Sequence, residues 1–204
     1  MDHYFIYDKD QKVKLRTVSF SFDGTDINLE TDTNTFSNKH LDDGTRILIK
    51  NLLETNLNGS FLDLGSGYGP IGLTLKLIYK DLDVTLSDIN EHAVELCKIN
   101  AKKLNLNVEC ITSDSYSNIH KSFDIVSLNS PISCGKEACY KMYRDTLEHL
   151  KNNGLFYLVI RKDKGALSHM KYLSSLFPSV RVIYKEKGYL VILANKNETN
   201  IKEQ

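Results

Sequence analysis

The chain has 204 residues, 41% of them hydrophobic and 25% charged, and its 26 basic side chains balance its 26 acidic ones. This zero net charge argues against a protein that coats nucleic acid without specificity, because such proteins are strongly basic. No apolar run approaches the ~20 residues of a membrane-spanning helix, and the first residues, MDHYFIYDKD, do not form a signal peptide. We therefore expect one folded cytoplasmic domain whose four cysteines are reduced thiols.

The chain begins with a predicted β-hairpin. Residues 1–35 alternate apolar and polar side chains around an Asp23-Gly24 turn, which is typical of two short antiparallel strands. We expect this hairpin to be a small appendage. The pattern then becomes helical in KHLDDGTRILIKNLLE, so a helix should lead into the first strand of the main sheet.

Strands and helices alternate over the rest of the chain. The predicted strands are GSFLDLG, DVTLSD, VECITSD, FDIVSLN, GLFYLVIR, VRVIYKE and GYLVILAN, and the helices include PIGLTLKLIY, EHAVELCKINAKKLN, KEACYKMYRDTLEHLK and ALSHMKYLSSLF. This alternation predicts an α/β, Rossmann-like fold with a seven-stranded, mostly parallel sheet and helices on both faces. The last two strands are joined only by the turn around Lys187-Gly188, so the final strand should be antiparallel to its neighbours. We expect a single domain over residues 1–196 and a polar tail over 197–204.

The first strand of the main sheet runs into a glycine-rich turn, FLDLGSGYGPIGL. Gly65, Gly67 and Gly69 would allow positive φ angles and let a ligand approach the backbone closely. Many nucleotide-binding proteins share such a turn before a helix. Asp63 narrows the choice, because its carboxylate would repel a pyrophosphate and attract a cationic ligand. S-adenosylmethionine is such a ligand, since it carries an ammonium and a sulfonium group.

Two further predicted strands end in an acidic residue. Asp88 ends the second strand, a position at which doubly wound folds commonly bind the hydroxyl pair of a ribose. Asp114 ends the third strand, where its carboxylate could accept a hydrogen bond from an adenine amino group. Asp114 could equally cap a turn with Ser115.

The fourth strand ends in VSLNSPI, where Asn129 stands before Ser130 and Pro131. A proline two residues after a buried strand would stop the strand, so this segment could be ordinary punctuation. The alternative is that the amide is placed for chemistry, at the edge where the three acidic residues are expected. We favour this alternative, because stopping the strand would not require an asparagine.

These motifs resemble a known family. DLGSGYGPIGL, SDIN, FDIVSLNSPI, GK and GYLVILA together resemble a class I S-adenosylmethionine-dependent methyltransferase, and more narrowly the bacterial ribosomal RNA guanine-N2 methyltransferases in a short single-domain form. TFSNKHLDDGTRILI is similar to the segment of that family before the first strand, and VIRKDKGALSHMKYL to its basic strand-to-helix stretch. The resemblance covers nearly the whole chain.

The resemblance implies roles for the residues of these motifs. Asn129 and the carbonyl of the next residue should accept hydrogen bonds from the target amino group, which aligns its nitrogen with the methyl group. The family usually has Asn-Pro-Pro, so Ser130 is a departure that removes the stiffness of a proline. The expected catalytic residues are Asn129, Ser130, Pro131 and Ile132. The expected cofactor-binding residues are Asp63, Gly65, Ser66, Gly67, Tyr68, Gly69, Asp88, Ile89, Asp114, Ser115, Phe36 and Asn129.

Basic residues near these motifs are candidates for RNA binding. A basic run follows the fifth strand, at the edge where ligands bind in such folds, and another lysine opens the helix after the catalytic segment. The expected substrate-binding residues are Lys136, Arg161, Lys162 and Lys164. A solvated charge cluster is the alternative. Lys185 and Lys187 flank a hairpin turn and are not expected to join this group.

The resemblance implies methyl transfer from S-adenosylmethionine to guanine N2, with ribosomal RNA or a ribosomal subunit as the partner and with neither a metal nor a membrane. Two alternatives remain. The chain could methylate a protein glutamine or a small molecule, or it could be a non-catalytic interaction module with a cofactor-binding fold. Longer members of the family carry a second, duplicated domain, so we do not carry over a particular target nucleotide. The sequence leaves the oligomeric state open.

Overall fold

The computed structural model describes residues 15–32, 40–129 and 134–197. The strands in these ranges are β1 (Arg16–Phe22), β2 (Thr25–Thr31), β3 (Ser60–Leu64), β4 (Asp83–Asp88), β5 (Glu109–Thr112), β6 (Phe123–Asn129), β7 (Leu150–Arg161), β8 (Ser179–Glu186) and β9 (Tyr189–Asn195). The helices are α1 (Asp43–Leu53), α2 (Pro70–Ile78), α3 (Glu91–Lys103), α4 (Lys136–His149) and α5 (Ala166–Leu176), and a short 3-10 helix covers Lys162–Lys164. No helix in the described ranges is long and apolar enough to cross a membrane.

Seven strands form the main sheet in the order β5-β4-β3-β6-β7-β9-β8. The first five strands of this order are parallel to one another. β9 is antiparallel to both of its neighbours, β7 and β8. The predicted Rossmann-like architecture is therefore confirmed, including its antiparallel final strand.

Helices cover the sheet on both faces. All five residues of β3, SFLDL, are buried, and strands covered on both faces characteristically have near-continuous apolar sequences. α1, α2 and α3 pack on one face, around residues such as Leu48 and Leu73. α4 and α5 pack on the other, around Tyr143 and Leu173. This packing holds the strand ends in fixed positions.

The N-terminal hairpin is present as β1 and β2, which pair as antiparallel strands. Its inner face joins the core on the side of α1–α3, where Ile27 and Leu29 are fully buried. Asn100 of α3 pairs with the outer edge of β2, since its Oδ1 accepts from the Glu30 N–H (2.7 Å) and its Nδ2 donates to the Glu30 carbonyl (2.8 Å). The hairpin and the main sheet therefore share one core.

One boundary differs from the sequence prediction. The helix expected to run through Lys151 ends at His149, and β7 begins at Leu150. Leu150 is buried and pairs with Phe123 of β6, and the register shifts directly after that pair. Burial of the Leu150 side chain against the sheet thus outweighs its helical sequence pattern.

Candidate functional site

The carboxyl ends of the central parallel strands meet at one edge of the sheet. We call the edge formed by Gly65, Asp88, Asn129 and Arg161 the ligand edge. The chain proceeds from β3 to β4 and β5 on one side, and then continues from β6 on the other side of β3. In open α/β sheets, ligands bind outside the carboxyl ends of the strands at such a reversal.

The turn after β3 leaves backbone accessible at the ligand edge. Gly65 and Gly67 have φ angles of 69° and 57°, in the left-handed region that favours glycine. No atom lies within 4 Å of the position that a Cβ of Gly67 would take. The turn therefore leaves open space in which a ligand can approach the backbone of Gly67.

Side chains of α3 hold this turn in place. The Cys97 thiol donates to the Gly67 carbonyl at 3.1 Å, and the Asn100 Nδ2 donates to the Tyr68 carbonyl at 3.0 Å. Ser66, an expected cofactor-binding residue, is buried with its hydroxyl 3.6 Å from the Cys97 Sγ. Cys97 and Asn100 were not predicted as site residues, because nothing in a helical pattern indicates which loop a helix residue will support.

The Asp88 carboxylate lies half-buried at the end of β4. It accepts hydrogen bonds from the N–H groups of Gly67 and Asn90, each at 2.9 Å. Burial raises the pKa of Asp88 above its ordinary value, although hydrogen bonds from Asn90, Gly67 and Ile89 oppose that shift. Asp88 thus joins the glycine turn to the start of α3, in the position expected for a ribose-binding carboxylate.

Asp63 lies underneath the glycine turn and is only 1% exposed. Its Oδ2 accepts from the Gly72 N–H at 2.9 Å, and its Oδ1 accepts from the Ser127 hydroxyl at 3.3 Å. Burial is the main cause that raises the pKa of Asp63 to about 7. Both carboxylate oxygens therefore have partners within the protein. The expected attraction of a cationic ligand would have to act through the field of this buried charge.

The Asn129 amide lies at the end of β6 and contacts the start of α1. Its Nδ2 donates to the Asp42 Oδ2 at 3.1 Å and to the Thr45 Oγ1 at 3.0 Å. Among the described residues, no donor is bonded to the Asn129 Oδ1. The free group of this amide is therefore a hydrogen-bond acceptor.

Asp42 is a site residue that was not predicted from the sequence. It is the N-cap of α1, and its carboxylate accepts from the N–H groups of Gly44 (2.9 Å) and Thr45 (3.1 Å). An aspartate before a helical pattern is a recognisable cap signal. Its bond to Asn129, however, spans 87 residues, and sequence spacing does not predict such a contact.

The predicted basic residues lie at the ligand edge, but they differ in their partners. Arg161 forms a two-point ion pair with Asp163, at 3.0 and 2.9 Å. Lys136 at the start of α4 comes close to Gly165, because its Cε would lie 3.8 Å from a Cβ at that position. In the described part of the chain, the exposed Lys136, Lys162 and Lys164 form no ion pair. We call these three lysines the basic face.

The expectation that Lys187 lies apart from this region is wrong. Because β9 is antiparallel to β7, Tyr189 pairs with Arg161 and the turn before it lies at the ligand edge. The Lys162 N–H donates to the Gly188 carbonyl at 2.8 Å. The Lys187 ammonium forms an ion pair with Asp43 of α1 at 2.9 Å.

The remaining predicted residues divide into three groups. Ile89 is 42% exposed beside Asp88, and Asp114 is exposed just beyond β5. The Ser115 hydroxyl donates to Asp145 on α4 at 3.0 Å, and Gly69 caps the start of α2. Phe36, Ser130, Pro131 and Ile132 lie outside the described residues.

The described residues fit S-adenosylmethionine. The space over Gly67 admits a ligand to the backbone, the Asp88 carboxylate can accept from ribose hydroxyls, and Ile89 offers an exposed apolar surface to a purine ring. The Tyr68 hydroxyl is buried and has no hydrogen-bond partner among the described residues. Burial and the nearby charge of Asp42 raise the pKa of Tyr68, so this group stays a neutral donor.

Comparison with known proteins relates the chain to methyltransferases. The family described as Methyltransferase small domain matches residues 26–193. The chain is 38% identical over 198 residues to the uncharacterized protein YbxB of Bacillus subtilis (strain 168), which covers 96% of this chain and 98% of that protein. It is 31% identical over 173 residues to ribosomal RNA small subunit methyltransferase C of Actinobacillus pleuropneumoniae serotype 7 (strain AP76), covering 83% of this chain. The match includes 52% of that protein, so the chain spans about half its length.

Two further similarities concern another ribosomal RNA enzyme and a solved structure. Ribosomal RNA large subunit methyltransferase G of Pseudoalteromonas translucida (strain TAC 125) is 27% identical over 192 residues, covering 88% of this chain and 49% of that protein. The T. thermophilus 16S rRNA N2 methyltransferase RsmC, solved with AdoMet and guanosine, superposes with a TM-score of 0.81 at 22% identity. That match covers 90% of this chain and 51% of the other, and it establishes a shared fold.

Proposed function

The chain belongs to the methyltransferase small domain family of S-adenosylmethionine-dependent methyltransferases, and we propose that it methylates an exocyclic amino group of ribosomal RNA, with guanine N2 as the favoured target. The observation that carries this proposal is the Asn129 amide at the ligand edge. Its nitrogen is bonded to Asp42 and Thr45, which leaves its oxygen to accept a hydrogen bond. An acceptor in this position matches a target group that donates N–H.

The chemistry requires the target nitrogen to be oriented. An exocyclic amine of guanine is a weak nucleophile, because its lone pair is delocalised into the ring. Bound S-adenosylmethionine supplies an electrophilic methyl carbon on its sulfonium sulfur. Asn129 Oδ1 accepts one hydrogen of the amine and so directs the nitrogen lone pair, which makes catalysis mainly a matter of positioning. The carbonyl of Ser130 is the proposed second acceptor, which replacement of the family's proline leaves in place.

The proposed cofactor contacts follow from the positions of the strand ends. Asp88 accepts from the ribose hydroxyls, and the backbone of the glycine turn approaches the methionine part of the cofactor. Ile89 packs against the adenine ring, and Asp114 accepts from the adenine amino group. Asp63 contributes a buried negative charge under the turn, which favours a cationic ligand.

The basic face supports an RNA substrate. Lys136, Lys162 and Lys164 are exposed and form no ion pair in the described part of the chain, so they remain available to phosphates. The N2 group of guanine is hydrogen-bonded in a base pair, so the target must be unpaired or flipped out of its helix. A ribosomal RNA substrate implies action on ribosomal subunits in the cytoplasm.

The names of related proteins support this substrate class. Two relatives are ribosomal RNA methyltransferases, one of the small subunit and one of the large subunit. The T. thermophilus protein of similar fold acts on a guanine N2. The chain spans about half of each of these proteins, so either ribosomal subunit could provide the target.

Methyl transfer to purified ribosomal subunits tests the proposal. The protein is incubated with each subunit and with S-adenosylmethionine carrying a labelled methyl group, and the RNA is digested to nucleosides. We expect labelled N2-methylguanosine from one subunit. Asn129→Ala should abolish transfer while S-adenosylmethionine still binds.

Two other outcomes would contradict the proposal. Label on a ribosomal protein glutamine would favour the alternative of a protein methyltransferase. Absence of any thermal stabilisation at saturating S-adenosylmethionine would favour a non-catalytic module, because a ligand that binds the folded state raises its stability.

A further inference from the structure

We propose that Asp42 and Thr45 are positioning residues that hold the Asn129 amide in its hydrogen-accepting orientation. Neither residue touches the target base, and both act through Asn129. This inference rests on the proposed function for its catalytic consequence. The orientation itself rests on the contacts between α1 and the end of β6.

The two contacts on the Asn129 nitrogen define the direction of the amide. The ionised Asp42 carboxylate is only an acceptor, so the amide group that faces it at 3.1 Å must be the donating Nδ2. The Thr45 Oγ1 accepts the second hydrogen at 3.0 Å. Turning the amide over would place its Oδ1 against the Asp42 carboxylate, with two acceptors facing each other. The network therefore selects one of the two amide orientations.

Asp42 is itself held in place by α1. Its two oxygens accept from the N–H groups of Gly44 and Thr45, in the first turn of the helix. A carboxylate is favoured there by the unsatisfied N–H groups and by the dipole of the helix. The start of α1 therefore fixes the carboxylate, and the carboxylate fixes the amide.

The absence of a side chain at position 44 permits this close approach. A Cβ on Gly44 would lie 3.2 Å from the Asn129 Oδ1 and 3.0 Å from the Tyr189 Cε1. Both distances are shorter than ordinary van der Waals contacts. A glycine next to the cap thus lets the first turn of α1 pack beside Asn129 without displacing its acceptor oxygen.

The catalytic consequence is a preference for a donor group in the target. With Nδ2 bonded to α1, the amide can offer only an oxygen to the target base. If the network is broken, the amide can also present its nitrogen, which cannot orient an amino group for attack. Because small errors in placement are costly in positioning catalysis, we expect kcat to fall by about 10- to 100-fold.

The test compares variants that preserve shape but change the network. Asp42→Asn keeps a good helix cap while offering a donor to Asn129, and Thr45→Val removes one acceptor. Thr45→Ser retains the hydroxyl and should rescue activity. Asp43→Asn is a matched control, because it removes a carboxylate from the same helical turn that bonds Lys187 instead.

Two readouts are measured on the full chain. In methyl transfer to ribosomal subunits, Asp42→Asn and Thr45→Val should lower kcat by about 10- to 100-fold and leave S-adenosylmethionine affinity unchanged. In NMR spectra without ligand, hydrogen exchange of the Asn129 side-chain amide should be faster by about 10-fold or more in Thr45→Val than in the wild type. Thr45→Ser and Asp43→Asn should resemble the wild type in both readouts.

The outcomes separate this inference from the proposed function. Wild-type kcat in both Asp42→Asn and Thr45→Val would overturn the positioning role, and so would unchanged amide exchange in Thr45→Val. A wild-type protein that transfers no methyl group to ribosomal RNA would contradict the proposed function alone. The amide exchange would then still decide whether α1 orients Asn129.

Discussion

The Asp63 carboxylate accepts a hydrogen bond from the Gly72 N–H, 2.9 Å away in the first turn of α2. This contact joins β3 to the helix that follows the glycine turn, and it places a fully buried charge beneath the ligand edge. Burial raises the pKa of Asp63 to about 7, and the charge of Asp88 contributes in the same direction. Asp63 therefore titrates within the range of pH at which enzymes are usually studied.

Asp63 should make the stability of the protein depend on pH. Its folded-state pKa of about 7 exceeds the ordinary 3.8, so between these values the folded protein holds a proton that the unfolded chain has released. The free energy of unfolding should therefore fall as pH rises through this window, with a contribution on the order of 4 kcal/mol.

The matched variant for this prediction is Asp63→Asn, which keeps the shape of the side chain and cannot ionise. Urea denaturation of both proteins at about pH 5 and about pH 8 should show that the variant lacks this part of the pH dependence. The same measurements should find the variant at least as stable as the wild type at the higher pH. Equal pH dependence in the two proteins would show that Asp63 is not the titrating group.

Gly67 should be required for cofactor binding more than for folding. A Cβ at Gly67 meets no atom within 4 Å, so Gly67→Ala should lose only about 1 kcal/mol of stability from its positive φ angle. The added methyl group would occupy the space over the turn and should weaken S-adenosylmethionine binding by roughly 10-fold or more.

The control for Gly67→Ala is Gly24→Ala in the β1–β2 turn. Gly24 also has a positive φ angle and open space around its Cβ position. Both variants should lose similar stability, whereas calorimetric titration with S-adenosylmethionine should distinguish them. Equal affinities in the two variants would place the cofactor away from the glycine turn.

Asn100 should couple the hairpin to the glycine turn. It is fully buried and bonds both backbone groups of Glu30 and the carbonyl of Tyr68. Asn100→Ala leaves these groups without partners and should lower the free energy of unfolding by about 2–4 kcal/mol. Urea denaturation measures the loss, and a change below about 0.5 kcal/mol would mean that these bonds contribute little.

The basic face should bind RNA through phosphates. Changing Lys136, Lys162 and Lys164 together to Ala should weaken RNA binding and reduce the salt dependence of the binding constant, by about 0.7 in log–log slope for each phosphate that the variant no longer neutralises. Lys80→Ala is a control, because Lys80 is exposed just before β4, at the opposite edge of the sheet. Binding measured over a range of salt concentrations tests this. A slope unchanged in the triple variant would refute the assignment.

The sequence predicted the fold and several positions of the site because these depend on local patterns. Alternating apolar strands and amphipathic helices determine a parallel sheet, and parallel strands place the ends of β3, β4 and β6 at one edge. Asp88 and the glycine turn could be identified from these positions alone. Asp63 was also found, but its complete burial depends on packing that its position at a strand end does not reveal.

The contacts that the sequence did not predict are tertiary. Asp42 contacts Asn129 only because α1 packs across the end of β6, and Cys97 and Asn100 support the glycine turn only because α3 packs beneath it. Lys187 was placed incorrectly although the information was available. An antiparallel final strand must start at the edge where the parallel strands end, so the turn before β9 must lie there too.

The most direct test of a ribosomal RNA methyltransferase with Asn129 at its catalytic centre is made in cells. Modified nucleotides of both ribosomal RNAs are mapped in cells that have the gene, lack it, or carry Asn129→Ala in its place. We predict one N2-methylguanosine that is present with the wild-type gene and absent from the other two strains. Identical maps in all three strains, or a methyl group that persists with Asn129→Ala, would contradict this prediction.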